Sequence, residues 1–100
     1  MKRATEIKLI YETEVRGQLG QHTGTETERT VPCTVKSITR QEWQMAGQAG
    51  FAPVAVAVIF AGNYKGETTA VLEGQKYAIY RTFERDDEQL ELYLQEETGA

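Results

Sequence analysis

Residues that carry chemistry are scarce in this chain: its 100 residues hold one cysteine, one histidine, one serine and two prolines. A single cysteine, Cys33, excludes an internal disulfide, suits a reducing compartment, and reads as a small buried hydrophobe. The lone His22 sits among Gly and Gln, with no Cys or carboxylate at metal-ligand spacing, which argues against zinc. Ser37 would have to recruit His22 from across the domain to build a triad. No G-K-[ST] or G-x-G-x-x-G leads from a strand into a helix, so the glycines Gly17, Gly20 and Gly24 form no phosphate cradle. No catalytic residue, cofactor or metal is therefore assigned, and the expectation is a protein that is not an enzyme.

Long apolar runs are missing too. The longest, Phe51 to Ala61, contains Pro53 and is far too short to span a bilayer. The basic start Met1-Lys2-Arg3 is not followed by the apolar stretch of a signal peptide. A soluble protein made in the cytoplasm, without membrane contact, is expected. Positive charge is also short. The net charge is -4 and argues against the broad basic footprint of most nucleic-acid binders. Residues 1–50 hold seven Lys/Arg and six Asp/Glu, while residues 51–100 hold four and nine. Most of the excess lies between Glu84 and Glu97, which predicts one strongly negative region. Asp86 and Asp87, flanked by Glu84 and Glu88, lack the alternation and glycine of a calcium loop.

What the chain does contain is strand pattern. Hydrophobic residues make up 40%, enough for one small domain over residues 1–100. Thr5 to Val15 alternates loosely, with Ile7, Leu9 and Tyr11 on one side and Ile10 out of step. Residues 16–26 read as a flexible loop. Val31, Cys33 and Val35 then recur with period two, and Pro32 predicts an edge position or a bulge. Thr39 and Glu42 have the spacing of a capping box, with Ile38 and Trp43 placed as its staple, so a short helix is expected over about 39–49. Val54, Val56, Val58 and Phe60 alternate with Ala55, Ala57, Ile59 and Ala61 in a central strand. Its small alanine face is expected to lie against the helix or a neighbouring subunit. Short strands follow at Thr68 to Leu72, at Lys76 to Glu84 (Tyr77, Ile79 and Phe83 on one face, Tyr80 and Thr82 on the other), and at Leu90 to Leu94, with a frayed tail at 96–100. The fold expected is all-β, a small six-stranded antiparallel β-barrel with one short helix inserted before the central strand.

Two stretches carry a family resemblance. Tyr80-Arg81-Thr82-Phe83-Glu84-Arg85, then an acidic turn and Leu90-Glu91-Leu92-Tyr93-Leu94, resembles the C-terminal pattern of the head-closure, or head-tail joining, proteins of long-tailed bacteriophages and prophages. Val35-Lys36-Ser37-Ile38-Thr39-Arg40-Gln41-Glu42-Trp43 is similar to the segment that precedes the helix in that family. The resemblance spans residues 5 to 95. It implies a structural head-tail connector of the virion, made in the host cytoplasm, whose copies form a twelve-fold ring. That ring would sit between portal or adaptor proteins and a tail-completion protein and help retain packaged DNA, which passes through its channel without specific binding. Under this reading Leu19 and His22 in the first loop, and Arg40, Trp43 and Met45 in the helix, are candidates to face a partner or the lumen. Arg81, Glu84 and Arg85 are candidate ring contacts. The alternatives are another phage ring component, such as a tail-terminator or tail-tube subunit, or an OB-type nucleic-acid-binding barrel. The last would need aromatics interleaved with a basic groove, which the acidic second half lacks.

Overall fold

The first two strands pair along their whole described length, and over Ile7–Leu9 and Val31–Val35 each turns its apolar residues to the core. β1 (Arg3–Arg16) and β2 (His22–Lys36) run antiparallel, with Ile7 opposite Val31 and Tyr11 opposite Thr27. The computed structural model describes residues 3–16 and 22–97. After β2 come α1 (Arg40–Gln48), β3 (Pro53–Phe60), a 3-10 turn (Ala61–Asn63), β4 (Thr69–Leu72), β5 (Gln75–Glu84) and β6 (Gln89–Glu96). The strand order is β1-β2-β3-β6-β5-β4, and β4 pairs back onto β1 over Ile7 to Ile10. The sheet is thus a closed six-stranded antiparallel barrel with one short helix between β2 and β3, the architecture expected from the pattern. Closure gives every strand two neighbours and removes the exposed edges that make small open sheets prone to aggregate.

The interior is filled by Ile7 and Leu9 from β1, Val31, Cys33 and Val35 from β2, and Leu90, Leu92 and Leu94 from β6. Leu92 and Leu94 are fully buried, and their cross-strand partners on β3 are Ala57 and Ala55. Six strands enclose little space, so a leucine on one strand is accommodated by an alanine on the next. This corrects the expectation that the alanine face of β3 lies against the helix: Ala57 belongs to the barrel core and Ala55 packs against it. The bulkier face, Val54, Val56, Val58 and Phe60, points outward; Val56 and Val58 are covered, while Val54 and Phe60 are about half exposed. Cys33 is buried in the core, and burial pushes its thiol pKa up although the Arg3 charge pulls the other way.

The expected loop at 16–26 is also corrected. β1 continues to Arg16 and β2 starts at His22, so most of that segment is strand; residues 17–21, including Leu19, lie outside the described residues. Alternation was not visible there because residues 16–26 contain a single apolar residue, Leu19. β1 meets β4 only up to Ile10, and β2 meets β3 only at Thr34–Lys36, so the far part of the pair continues beyond the barrel as a ribbon. Pro32 falls where β2 has β1 on one side and no strand on the other, the edge position its missing N–H requires. At the other terminus Glu96 still belongs to β6, opposite Tyr77, so the frayed tail does not begin there.

Two local features set the remaining geometry. Glu73 and Gly74 both adopt positive φ, 52° and 79°, which gives the two-residue turn whose twist suits the β4–β5 hairpin. In β5 the register against β6 shifts between Ile79 and Arg81, so Tyr80 is an extra residue in a β-bulge. Arg81 pairs with the outward Tyr93, and Phe83, beyond the bulge, stands half exposed opposite Glu91. The expected single face for Tyr77, Ile79 and Phe83 therefore breaks at Tyr80, because a bulge inverts the alternation that follows it. If the alanines fill the interior, Ala57→Leu is expected to destabilise the chain by about 1–3 kcal/mol through overpacking. Val54→Ala, on the open outer face, should change stability by less than about 0.5 kcal/mol. Urea unfolding followed by circular dichroism measures both.

Candidate functional site

Helix α1 starts where local chemistry dictates. Thr39 is the N-cap, its hydroxyl accepting the Glu42 N–H at 3.1 Å. The Glu42 side chain does not return to Thr39 to complete the capping box. It turns toward the barrel, and the helix has only two buried residues, Glu42 and Ala46, one turn apart on one face. At the other end Gly50 N–H bonds to Gly47 O and Phe51 N–H to Ala46 O, a Schellman closure that requires the positive φ of 90° at Gly50.

Beneath the helix lies the bulge. Because Tyr80 and Arg81 both emerge opposite Tyr93, they reach the same carboxylate. The Tyr80 hydroxyl donates to Glu42 Oε2 at 2.7 Å, Arg81 Nε donates to the same oxygen at 3.1 Å, and Arg81 Nη2 donates to Oε1. The guanidinium lies 3.8 Å from the centre of the Tyr93 ring, and Phe51 stacks on Tyr80 with centroids 4.8 Å apart. Tyr93 donates to Glu91 Oε1 at 2.6 Å, and Lys36 donates to Glu91 Oε2 at 3.3 Å. The result is a continuous polar and aromatic strip on the outer face of β5 and β6, running from the helix to the end of β2.

The electrostatics follow the contacts. The hydrogen bond from Arg81 holds the Glu42 carboxyl below the usual carboxylate range, against the opposing effect of burial. Burial raises Glu91, but the bonds from Tyr93 and Lys36 more than offset it, so this acid is also lowered. The Tyr80 and Tyr93 phenols move up, first through burial and then through their carboxylate partners, Tyr93 to about 12. All of these groups hold their ordinary charge at neutral pH. They are paired with one another, which suits them to hold elements together and leaves no group poised for proton transfer.

A second network braces one end of the barrel. Glu67 is 2% exposed, receives Arg29 Nη2 at 2.6 Å and the Lys65 N–H at 2.7 Å, and its carbonyl accepts the Tyr64 hydroxyl at 2.6 Å. Arg29 also donates to the Asn63 carbonyl. These bonds tie β2, where it has no strand neighbour on the β3 side, to the segment that leads from β3 to β4. Burial raises the Glu67 carboxyl, and the bonds from Arg29 and the Lys65 backbone outweigh it to leave a lowered pKa. At the opposite end an open cleft of about 490 Å3 is lined in part by Arg3, Lys36, Val54, Glu73 and Tyr77. Its charged groups are already paired, Arg3 with Glu73 and Lys36 with Glu91.

The residues singled out from the sequence are thus spread over the molecule. Trp43 and Met45 stand outward on α1, 61% and 56% exposed, and Arg40 is exposed at its first turn. His22 opens β2 in the ribbon. Arg81 is engaged by Glu42 of its own chain, Arg85 pairs with Asp87 and lies near Glu91, and Glu84 is exposed at the end of β5. Among the described residues no three His, Cys, Asp or Glu side chains gather as metal ligands. No helix of these residues is long and apolar enough to cross a membrane. The sequence marked Glu42 only as a capping-box residue and did not single out Glu67; the bulge and the loop that surround them reveal their burial. Comparisons of the chain with family models, with curated proteins and with solved structures give no match.

Glu42, Glu67 and Glu91 bind protons less readily in the folded chain than at the ordinary carboxylate value of 4.5. As pH falls the unfolded chain is therefore protonated first, so the stability these acids contribute is present above pH 4.5 and lost as pH drops through their lowered values. The urea midpoint is expected to fall with acidification below that point. Glu67→Gln should cost about 1–3 kcal/mol at neutral pH by weakening a charge-assisted bond. The same variant should show a shallower acid dependence; an unchanged slope would contradict the role given to Glu67.

Proposed function

We propose that this chain is a structural head-tail connector of the head-closure type, which works by assembling into a ring between the portal or adaptor proteins and the tail. The observation that carries the reading is the division of labour on α1. One face of the helix, Glu42 and Ala46, is buried against the barrel, while Trp43 and Met45 on its two flanks are open to solvent. Exposed large amphipathic and flexible apolar side chains of this kind are the groups that contribute most when an interface forms. Further support comes from the two stretches that carry the resemblance: the pre-helix segment and the Tyr80–Arg85 segment meet each other at the Glu42–Arg81 contact.

The acidic turn suits the same task. Glu84, Asp86, Asp87 and Glu88 are exposed between β5 and β6, and carboxylates repel phosphates, so a ring carrying them at a channel would let DNA pass without adhesion. Inactivating the chain in the phage or prophage that encodes it is expected to give filled heads that leak DNA, together with separate tails. Overlong or unfinished tails would instead indicate a tail-terminator or tube subunit. In purified protein the double change Trp43→Ala with Met45→Ala should weaken self-association or partner binding by about tenfold or more. Sedimentation velocity reads this, with unfolding measured alongside to show that the fold is unaffected.

A further inference from the structure

Nine residues make a helix about 14 Å long, too short to be stable in isolation. Its docking must therefore sustain it. The apolar part of that docking is slight, because Ala46 is the only buried hydrophobic residue of α1 and no helix residue belongs to the barrel core. What holds the helix is the carboxylate of Glu42, taken by Tyr80 and by two nitrogens of Arg81. Two contacts just after the helix fall on the same strip: the stack of Phe51 on Tyr80 and the bond from Ala52 N–H to Gln95 Oε1 at 3.0 Å.

We infer that the Glu42–Arg81–Tyr80 cluster is a latch, and that residues 39–52 form a flap able to leave the barrel as a unit while the barrel stays closed. Three features make the separation possible. The flap lies wholly outside the closed sheet. Gly50, at φ 90° with open space around it, provides a swivel at the C-terminal side. The strands on either side of the flap, β2 and β3, pair directly at Thr34–Lys36 and Val56–Val58, so barrel closure does not pass through the helix. Arg81 also lies 3.8 Å from the centre of the Tyr93 ring, a contact between β5 and β6 that does not involve the flap. The inference concerns the single chain and stands independently of ring formation.

Hydrogen exchange on the full chain, at concentrations where it is monomeric, tests it with wild type, Glu42→Ala, Glu42→Gln and Arg81→Met. In Glu42→Ala and Arg81→Met the amides of Trp43 to Gln48 are expected to exchange about tenfold faster or more, as for a segment opening locally. Amides of Val56 to Ile59 and Leu90 to Leu94, which exchange through global opening, should stay slower than the helix amides in every variant and show a steeper urea dependence. Glu42→Gln, which keeps an acceptor and loses the charge, should fall between. Helix amides as slow in Glu42→Ala as in wild type would overturn the latch. Helix and barrel amides sharing one opening free energy and one urea dependence would overturn the independence of the flap.

Discussion

Closure of six short strands around a narrow interior is the constraint on which the rest depends. Once β4 returns to β1, every inward position has a fixed amount of room, and bulk on one strand must be met by a small residue on its neighbour. Leu92 and Leu94 of β6 lie opposite Ala57 and Ala55, so β3 turns its alanines inward and its valines outward. The outward valines in turn create an apolar outer strip beside β6, and α1 approaches β3 with Ala46 buried. The position of the helix, and of the aromatic residues it presents, is thus a consequence of how the core is filled.

A single bulge converts that surface into a polar anchor. In a regular strand Tyr80 and Arg81 would face opposite sides of the sheet; the extra residue brings both to the outside over Tyr93. One carboxylate can then bind both. Bidentate pairing of Arg with Glu and a tyrosine bond to the same group give direction and specificity to a contact that apolar burial alone would leave weak. The Arg29–Glu67 cluster does comparable service at one end of the barrel, where β2 lacks a strand neighbour and a loop must take its place.

The barrel is closed, the helix is held by few contacts, and among the described residues the β1–β2 ribbon extends past the sheet with no further strand on its outer edges. In the proposed connector the closed body would fix position and the lightly held elements would adapt to neighbours.

Alternation alone was enough to read the barrel strands, because β1, β2 and β6 each bury one face and local sequence records that with period two. The capped helix was equally legible, since Thr39 and Gly50 act on backbone groups within a few residues. The ribbon was not, for residues 16–26 offer a single apolar residue, Leu19, and so carry no period. Nor could the sequence tell which side of β3 faces inward, since both are apolar and the answer rests on the volume of leucines more than 30 residues away. The site itself depended most on the tertiary structure. Glu42 and Arg81 lie 39 positions apart, and one unpaired residue at Tyr80 decides that they meet.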